Sequence, residues 1–237
     1  MADLLAVLYQ EVLRVRPEDP QWSERDRFIL SKGHSTAALY ATLAESGFLP
    51  VQELESYGQD NSRLLTHVSH KVPGVEFSTG SLGHGLPFGC GKALAAKRLG
   101  HIWRTFVMLS DGELDEGSNW EAILFAGHHQ LNNLVAIVDY NKIQSLGDVK
   151  DVLDLHPLAE KFLAFRWGVR EIDGHDFTQI RTAFSDAAEK NFPTVIIAHT
   201  VKGKGVDFME HQLKYHYSAP RTEEQLAEVL RQLKADR

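Results

Sequence analysis

Arg104-Thr-Phe-Val-Met-Leu-Ser110 runs straight into Asp111-Gly-Glu-Leu-Asp-Glu-Gly117, and Leu134-Val-Ala-Ile-Val138 runs into Asp139-Tyr-Asn-Lys-Ile-Gln144. Each apolar run has the length of a strand buried on both faces, and each stops abruptly at oxygen-bearing side chains. If the two are neighbouring parallel strands, Asp111 and Asn141 emerge together at the carboxyl edge, where open α/β sheets bind ligands. A carboxylate, an amide oxygen and a nearby carbonyl suit a hard cation such as Mg2+, which takes its remaining oxygens from water and phosphates. Gly112 and Gly117 leave the backbone free to approach a diphosphate, and a helix starting near Ser118 points its amides toward it. Taken singly, the same residues read as a helix-capping Asp and a turn Asn; the pairing at equivalent strand ends favours a site.

Outward from this pair, helical and strand patterns alternate. Helices are expected in the opening stretch (Leu4, Leu5, Val7, Leu8, Val12) and at 36–46, 51–58, 86–99, 118–130, 156–166, 177–190 and 222–235; strands are expected at 104–110, 133–139, 168–173 and 194–199. The alternation predicts an α/β fold, a mostly parallel central sheet with helices on both faces, and residues 1–237 as one domain.

Composition narrows the function classes. With 237 residues, 43% hydrophobic and 24% charged, the chain can bury a substantial core. A net charge of −7 argues against a general nucleic-acid binder, which needs a basic face. Cys90, the single cysteine, excludes an internal disulfide framework and reads as a buried thiol. Without a charged-then-apolar leader or an apolar run of about eighteen residues, a cytoplasmic protein outside the membrane is expected.

The Gly80-Ser-Leu-Gly-His-Gly85 segment lacks the Gly-x-Gly-x-x-Gly spacing of a dinucleotide loop, which leaves a tight loop into a packed helix or a contact with another cofactor. Of the twelve histidines, most fit surface or satisfied core positions, and His128 and His129 are adjacent rather than at the i, i+4 spacing of a zinc pair.

The strand-end pair resembles the thiamin diphosphate motif, a Gly-Asp-Gly followed about thirty residues later by an Asn. More narrowly, residues 111–122 and 131–144 resemble the amino-terminal half of a transketolase. Further blocks agree: Arg25-Asp-Arg-Phe-Ile-Leu-Ser-Lys-Gly-His34, Pro73 to Gly85, Asp173-Gly-His-Asp176 and Thr200-Val-Lys-Gly-Lys-Gly205. The resemblance implies thiamin diphosphate with Mg2+ (Ca2+ or Mn2+ as substitutes), held by Asp111, Asn141 and the carbonyl of Ile143. It places Gly80, Leu82, Gly83, Gly112 and Glu113 at the cofactor. It assigns the substrate channel to His34, His67 and His216, whose imidazoles can exchange protons and hydrogen-bond sugar hydroxyls. The implied reaction moves a two-carbon ketol unit from a ketose or its phosphate to an aldose.

Glu116 and Glu121 match family acids near a subunit contact, or are exposed first-turn acids favoured by the helix dipole. Trp120 and Phe125 read as packing. Lys202 and Lys204 either steady a phosphate or sit in a solvated loop.

The chain departs from the family in three respects. It starts after the position of an upstream Ser-His-x-Gly segment. Ser110-Asp-Gly stands for Gly-Asp-Gly, and Tyr215-His-Tyr217 stands for Trp-His-Gly. No pyrimidine-binding domain fits in this length. The expectation is therefore one subunit of a split transketolase, partnered by a carboxy-terminal pyrimidine-domain subunit in a heterotetramer of two of each chain. The alternatives are 1-deoxyxylulose-phosphate synthase, a 2-oxo-acid dehydrogenase component, or a catalytically silent partner.

Overall fold

The two apolar runs that end in Asp111 and Asn141 are neighbouring parallel strands. A computed structural model describes residues 1–187 and 191–235. In chain order the strands are β1 (Arg27–Leu30), β2 (Thr105–Ser110), β3 (Leu134–Tyr140), a small hairpin of β4 (Ile143–Gln144) and β5 (Gly147–Asp148), then β6 (Gly168–Asp173) and β7 (Thr194–His199). The helices are α1 (Ala2–Val7), which continues through a π-helical turn over Leu8–Val12, α2 (Thr36–Glu45), α3 (Gly85–Leu99), α4 (Gly117–His128), α5 (Val149–Val152), α6 (Leu158–Ala164), α7 (Phe177–Ala187) and α8 (Glu223–Ala235).

Five strands form one all-parallel sheet in the order β1-β2-β3-β7-β6. Alternate side chains serve two cores, as the period of two requires. Phe106, Met108, Val135 and Ile137 face a core shared with α1, α2 and α7. Val107, Leu109, Ala136 and Val138 face a second core shared with α3, α4 and α6. The chain steps β1 to β2 to β3 in one direction, then passes over β7 to reach β6 and returns. The covering helices change face with that reversal, as right-handed crossovers demand. The chain turns back at the edge strand β6, which leaves β7 beside β3, and the carboxyl ends of β2, β3 and β7 border one crevice.

The expected strands 168–173 and 194–199 form with those bounds, and the other two lie within one residue of them. Residues 51–58, expected as α-helix, instead form a 3-10 turn over Val51–Ser56 with no buried side chain to hold a longer helix. Of the expected helix 177–190, residues 188–190 lie outside the described residues. Strand β1 is a strand the sequence does not announce; its four residues are too few to stand out as an apolar run, and the first of them is an arginine. Cys90 is buried, as expected. Among the described residues no helix is long and apolar enough to cross a membrane.

Candidate functional site

Ser110 pairs with Asp139 in register, so Asp111 and Asn141 leave adjacent strands at the same edge, Asn141 one residue further out. Asp111 is buried. Its Oδ1 accepts the Gly112 amide at 2.8 Å and its Oδ2 the Lys142 amide at 2.5 Å. Burial pushes its carboxyl up to about 6, against the pull of those two amides and of Lys32. The Asn141 Oδ1 accepts the Ile143 amide at 3.1 Å, which folds the chain into the β4–β5 hairpin. Asp111, Gly112, Asn141 and Ile143 all line one cavity of about 580 Å3.

The donor set fits a hard cation shared with a phosphate ligand. A carboxylate has about four lone-pair sites, so two amides leave Asp111 acceptor capacity in hand. Among the described residues no three His, Cys, Asp or Glu side chains converge on a metal position. A cation at this edge would therefore draw oxygens from amide, carbonyl, water and phosphate, as Mg2+ commonly does.

Beneath the cavity runs a buried polar tie across three strand ends. Lys32, just after β1, reaches over the end of β2 and its ammonium hydrogen-bonds the Asp139 carboxylate at the end of β3. The other Asp139 oxygen accepts the Thr200 hydroxyl at 2.6 Å, just past β7. Burial would raise the Asp139 carboxyl, but the Lys32 ammonium, the Met1 amino group and the Thr200 hydroxyl together outweigh it and hold the group well below the usual carboxylate range. Neither Lys32 nor Asp139 is among the expected site residues, although both fall inside quoted motifs. Only their side-chain directions mark them out.

Glu113 is fully buried and does not line the cavity. It organises the wall from behind: its Oε1 accepts the Ser31 hydroxyl at 2.5 Å and the Gly83 amide at 3.0 Å. Ser31 Oγ in turn accepts the Gly85 amide at 3.1 Å, at the start of α3. Gly83 has φ +81°, and a Cβ there would lie 2.5 Å from Ser118 Oγ and 2.7 Å from Glu116 Cβ. This lock presents Leu82 to the cavity.

The three expected histidines separate into a pair and an outlier. His34, in the turn after β1, and His216, near the end of the segment that follows β7, both line the cavity, with ring centroids 5.6 Å apart. Burial pushes each down to about 4, assisted by the charges of Lys32 and Lys202. His216 Nδ1 is buried without a hydrogen-bond partner among the described residues. His67 is exposed and lies beside Gly80, where a Cβ would come within 3.2 Å of its ring. Neither His67 nor Gly80 lines the cavity, yet His67 is close enough for its charge to act on His34. Trp120 is a packing residue, its indole donating to the Leu114 carbonyl at 2.8 Å beside Phe162 and Phe165, whereas Phe125 is partly exposed.

Comparison with known proteins converges on one family. The family described as "Transketolase, thiamine diphosphate binding domain" matches residues 1–236. The chain is similar to an apulose-4-phosphate transketolase subunit of Phocaeicola vulgatus, 40% identical over 232 residues that cover 98% of this chain and 82% of the relative. It is similar to the 6-deoxy-6-sulfo-D-fructose transketolase subunit SqwG of Clostridium sp. (strain MSTE9), 40% identical over 91% of this chain and 79% of the relative. Among solved structures, the transketolase of Campylobacter jejuni superposes with a TM-score of 0.92 at 34% identity, over 98% of this chain and 37% of that one. The chain thus spans most of the subunit relatives and little more than a third of the solved transketolase.

Proposed function

Because the chain belongs to the transketolase family, as its thiamine diphosphate binding domain, we propose that it is the diphosphate-binding subunit of a split transketolase. The observation that carries this is the convergence of Asp111, Asn141 and the His34–His216 pair on one cavity at the β3/β7 crevice. Two similar proteins are named as transketolase subunits, which supports a separate carboxy-terminal subunit that supplies a pyrimidine-binding domain. Residues 1–237 act as one domain in this reading, and two copies of each chain close into a heterotetramer in the cytoplasm.

Thiamin diphosphate, when bound, supplies the nucleophile and electron sink for breaking a ketose C–C bond and passing the two-carbon ketol unit to an aldose. The chain's own residues hold and orient. Asp111, the Asn141 side chain and the Ile143 carbonyl hold Mg2+, for which Ca2+ or Mn2+ can stand in. Gly112, Gly83 and Leu82 form the wall against the cofactor, and Glu113 fixes that wall through the Gly83 amide. Gly80 and His67 stand at the outer side. His34 and His216, kept neutral by burial and neighbouring lysines, offer one donor and one acceptor nitrogen each to sugar hydroxyls, and can pass a proton at a carbonyl or hydroxyl oxygen. The substrate class is a ketose or ketose phosphate with an aldose acceptor.

The test is ketol transfer by the chain co-purified with its partner subunit, with Mg2+ and thiamin diphosphate present or withheld. Turnover that needs both and is lost in Asp111→Ala is expected. Unchanged activity in Asp111→Ala would assign catalysis elsewhere and make this chain a silent partner.

A further inference from the structure

Asp173-Gly-His-Asp176, a block that the proposed chemistry does not use, forms the turn from β6 into α7. Its two acids serve the backbone. Asp173 Oδ1 accepts the His175 amide at 2.8 Å, and Asp176 Oδ1 accepts the Thr178 and Gln179 amides at 2.8 and 3.1 Å, which starts α7. The turn lies against the segment that leaves β7, one residue against the next. The Gly174 amide donates to the His199 carbonyl at 2.8 Å. A Cβ on Gly174 would sit 2.5 Å from Thr200 Cγ2. The Val201 amide then donates to His175 Nε2 at 2.9 Å.

That segment is a wall. Thr200, Val201 and Lys202 line the cavity that Asp111 and Asn141 border, whereas Lys204 is exposed. Behind the wall is a second cavity of about 780 Å3, lined by His175 and, on the shared side, by Thr200 and Val201. His175 does not line the first cavity, so it reaches the site only through the backbone it holds. Among the described residues its ring is the one partner of the Val201 amide.

The bonding fixes the proton. An amide N–H needs a lone pair, so Nε2 carries no hydrogen and the ring is the neutral form with its proton on Nδ1. Nδ1 lies 2.7 Å from the Asp3 carboxylate at the start of α1, which accepts that hydrogen. A proton on Nε2, alone or together with one on Nδ1, would set a donor against the Val201 donor. We propose that His175 is a positioning residue for the cavity: Asp3 locks its tautomer, and Nε2 holds Val201 so that the wall from Thr200 to Lys202 stands where substrate meets it. Its effect on ketose binding rests on the function proposed above.

Two substitutions separate the two ring nitrogens. Asn sets an amide nitrogen near the Nδ1 position and keeps a donor for Asp3, whereas Gln sets an amide oxygen near the Nε2 position and keeps an acceptor for Val201. The kinetic experiment uses the chain in complex with its partner subunit, Mg2+ and thiamin diphosphate. H175N should raise the ketose KM by about fivefold or more, the size of one lost hydrogen bond. Its kcat should stay within about twofold, since a displaced wall weakens ground state and transition state alike. H175Q should stay within about twofold of wild type in both constants. A role confined to tying α1 to the β6–α7 turn predicts the opposite order; that order, or equal effects of Asn and Gln, would overturn the assignment. In the full chain labelled with 15N-histidine, near neutral pH, His175 should show a protonated Nδ1 and an unprotonated Nε2. D3A removes the lock with His175 in place, so it should raise the KM and draw the two nitrogen shifts together, and it carries the test if H175N fails to fold. Nitrogen shifts that put the proton on Nε2 in a complex that transfers ketol units would overturn the lock alone. A wild-type complex without ketol transfer would overturn the proposed function and the role of His175 in ketose binding with it.

Discussion

His34 and His216 come from opposite ends of the chain and place their rings 5.6 Å apart across one cavity. Burial pushes both down to about 4 from the ordinary value near 6.5, helped by Lys32 and Lys202 and, at His34, by His67 and by His216 itself. Above about pH 6.5 folded and unfolded forms are both neutral here. Between about 6.5 and 4 the unfolded chain binds more protons, so stability falls as pH falls through that window. Urea unfolding at stepped pH should show this slope, shallower in His34→Asn. Histidine NMR should show both imidazoles neutral at pH 6; a midpoint near 6.5 for either ring would contradict the geometry.

Glu113→Gln replaces a carboxylate oxygen with an NH2 group facing the Ser31 hydroxyl and the Gly83 and Ser110 amides. A buried donor set against donors costs about 1–3 kcal/mol. At roughly 2–4 °C per kcal/mol for a chain of this size, thermal unfolding should drop by several degrees. Cofactor affinity should fall as well, because Gly83 and Leu82 lose their support. A variant as stable as wild type would remove Glu113 from the wall.

Asp139→Asn leaves the Lys32 ammonium buried beside a neutral amide, a change that typically costs roughly 3–5 kcal/mol. The double variant Lys32→Met with Asp139→Asn should recover a large part of that loss. Denaturant midpoints for the two single variants and the double variant form the cycle, and strict additivity would show that the pair is not coupled.

Gly83→Ala meets both a left-handed backbone and the Ser118 and Glu116 side chains. Backbone strain of this kind costs about 1–3 kcal/mol before any clash. Calorimetric melting of Gly83→Ala should be lowered by at least that amount, with weaker thiamin diphosphate binding. A melting curve identical to wild type would mean that the loop relaxes freely.

Removing divalent metal should release the cofactor. Thiamin diphosphate binding to the complex is expected to vanish in excess chelator and to return with Mg2+, Ca2+ or Mn2+. Retention of full affinity in chelator, with Asp111→Ala equally tight, would place the metal assignment in error.

The strands that carry the site are legible because their sequences are nearly continuous apolar runs that stop at Asp111, Asn141 and Thr200. A continuous apolar run of six or seven residues has the length of a strand and not of a helix, and its end is marked by composition alone. Strand β1 is hidden for the same reason turned around: Arg27-Phe-Ile-Leu30 is too short to stand out, and its arginine reads as surface, though it is largely buried. The two-residue strands β4 and β5 have no period to detect. Glu113 shows what spacing cannot reach, since it sits two residues from Asp111 yet turns into the protein. Lys202 and Lys204 are likewise indistinguishable in Val-Lys-Gly-Lys-Gly, and only the fold of the Gly203 turn sends one into the cavity and the other to solvent. His34 and His67 both follow from motif position, but the path of the chain between β1 and α3 puts only His34 in the cavity wall.

The tie from Lys32 through Asp139 to Thr200 spans 107 residues of sequence in one bond and 61 in the other. Such contacts form late, because each requires closing a long loop whose entropy must be met by strands already in place. The floor of the cavity therefore comes into being only when β1, β3 and β7 have all found their places in one sheet. A chain that has folded part way has no cavity to offer, so the capacity to take up ligand doubles as a report that the whole sheet has been completed.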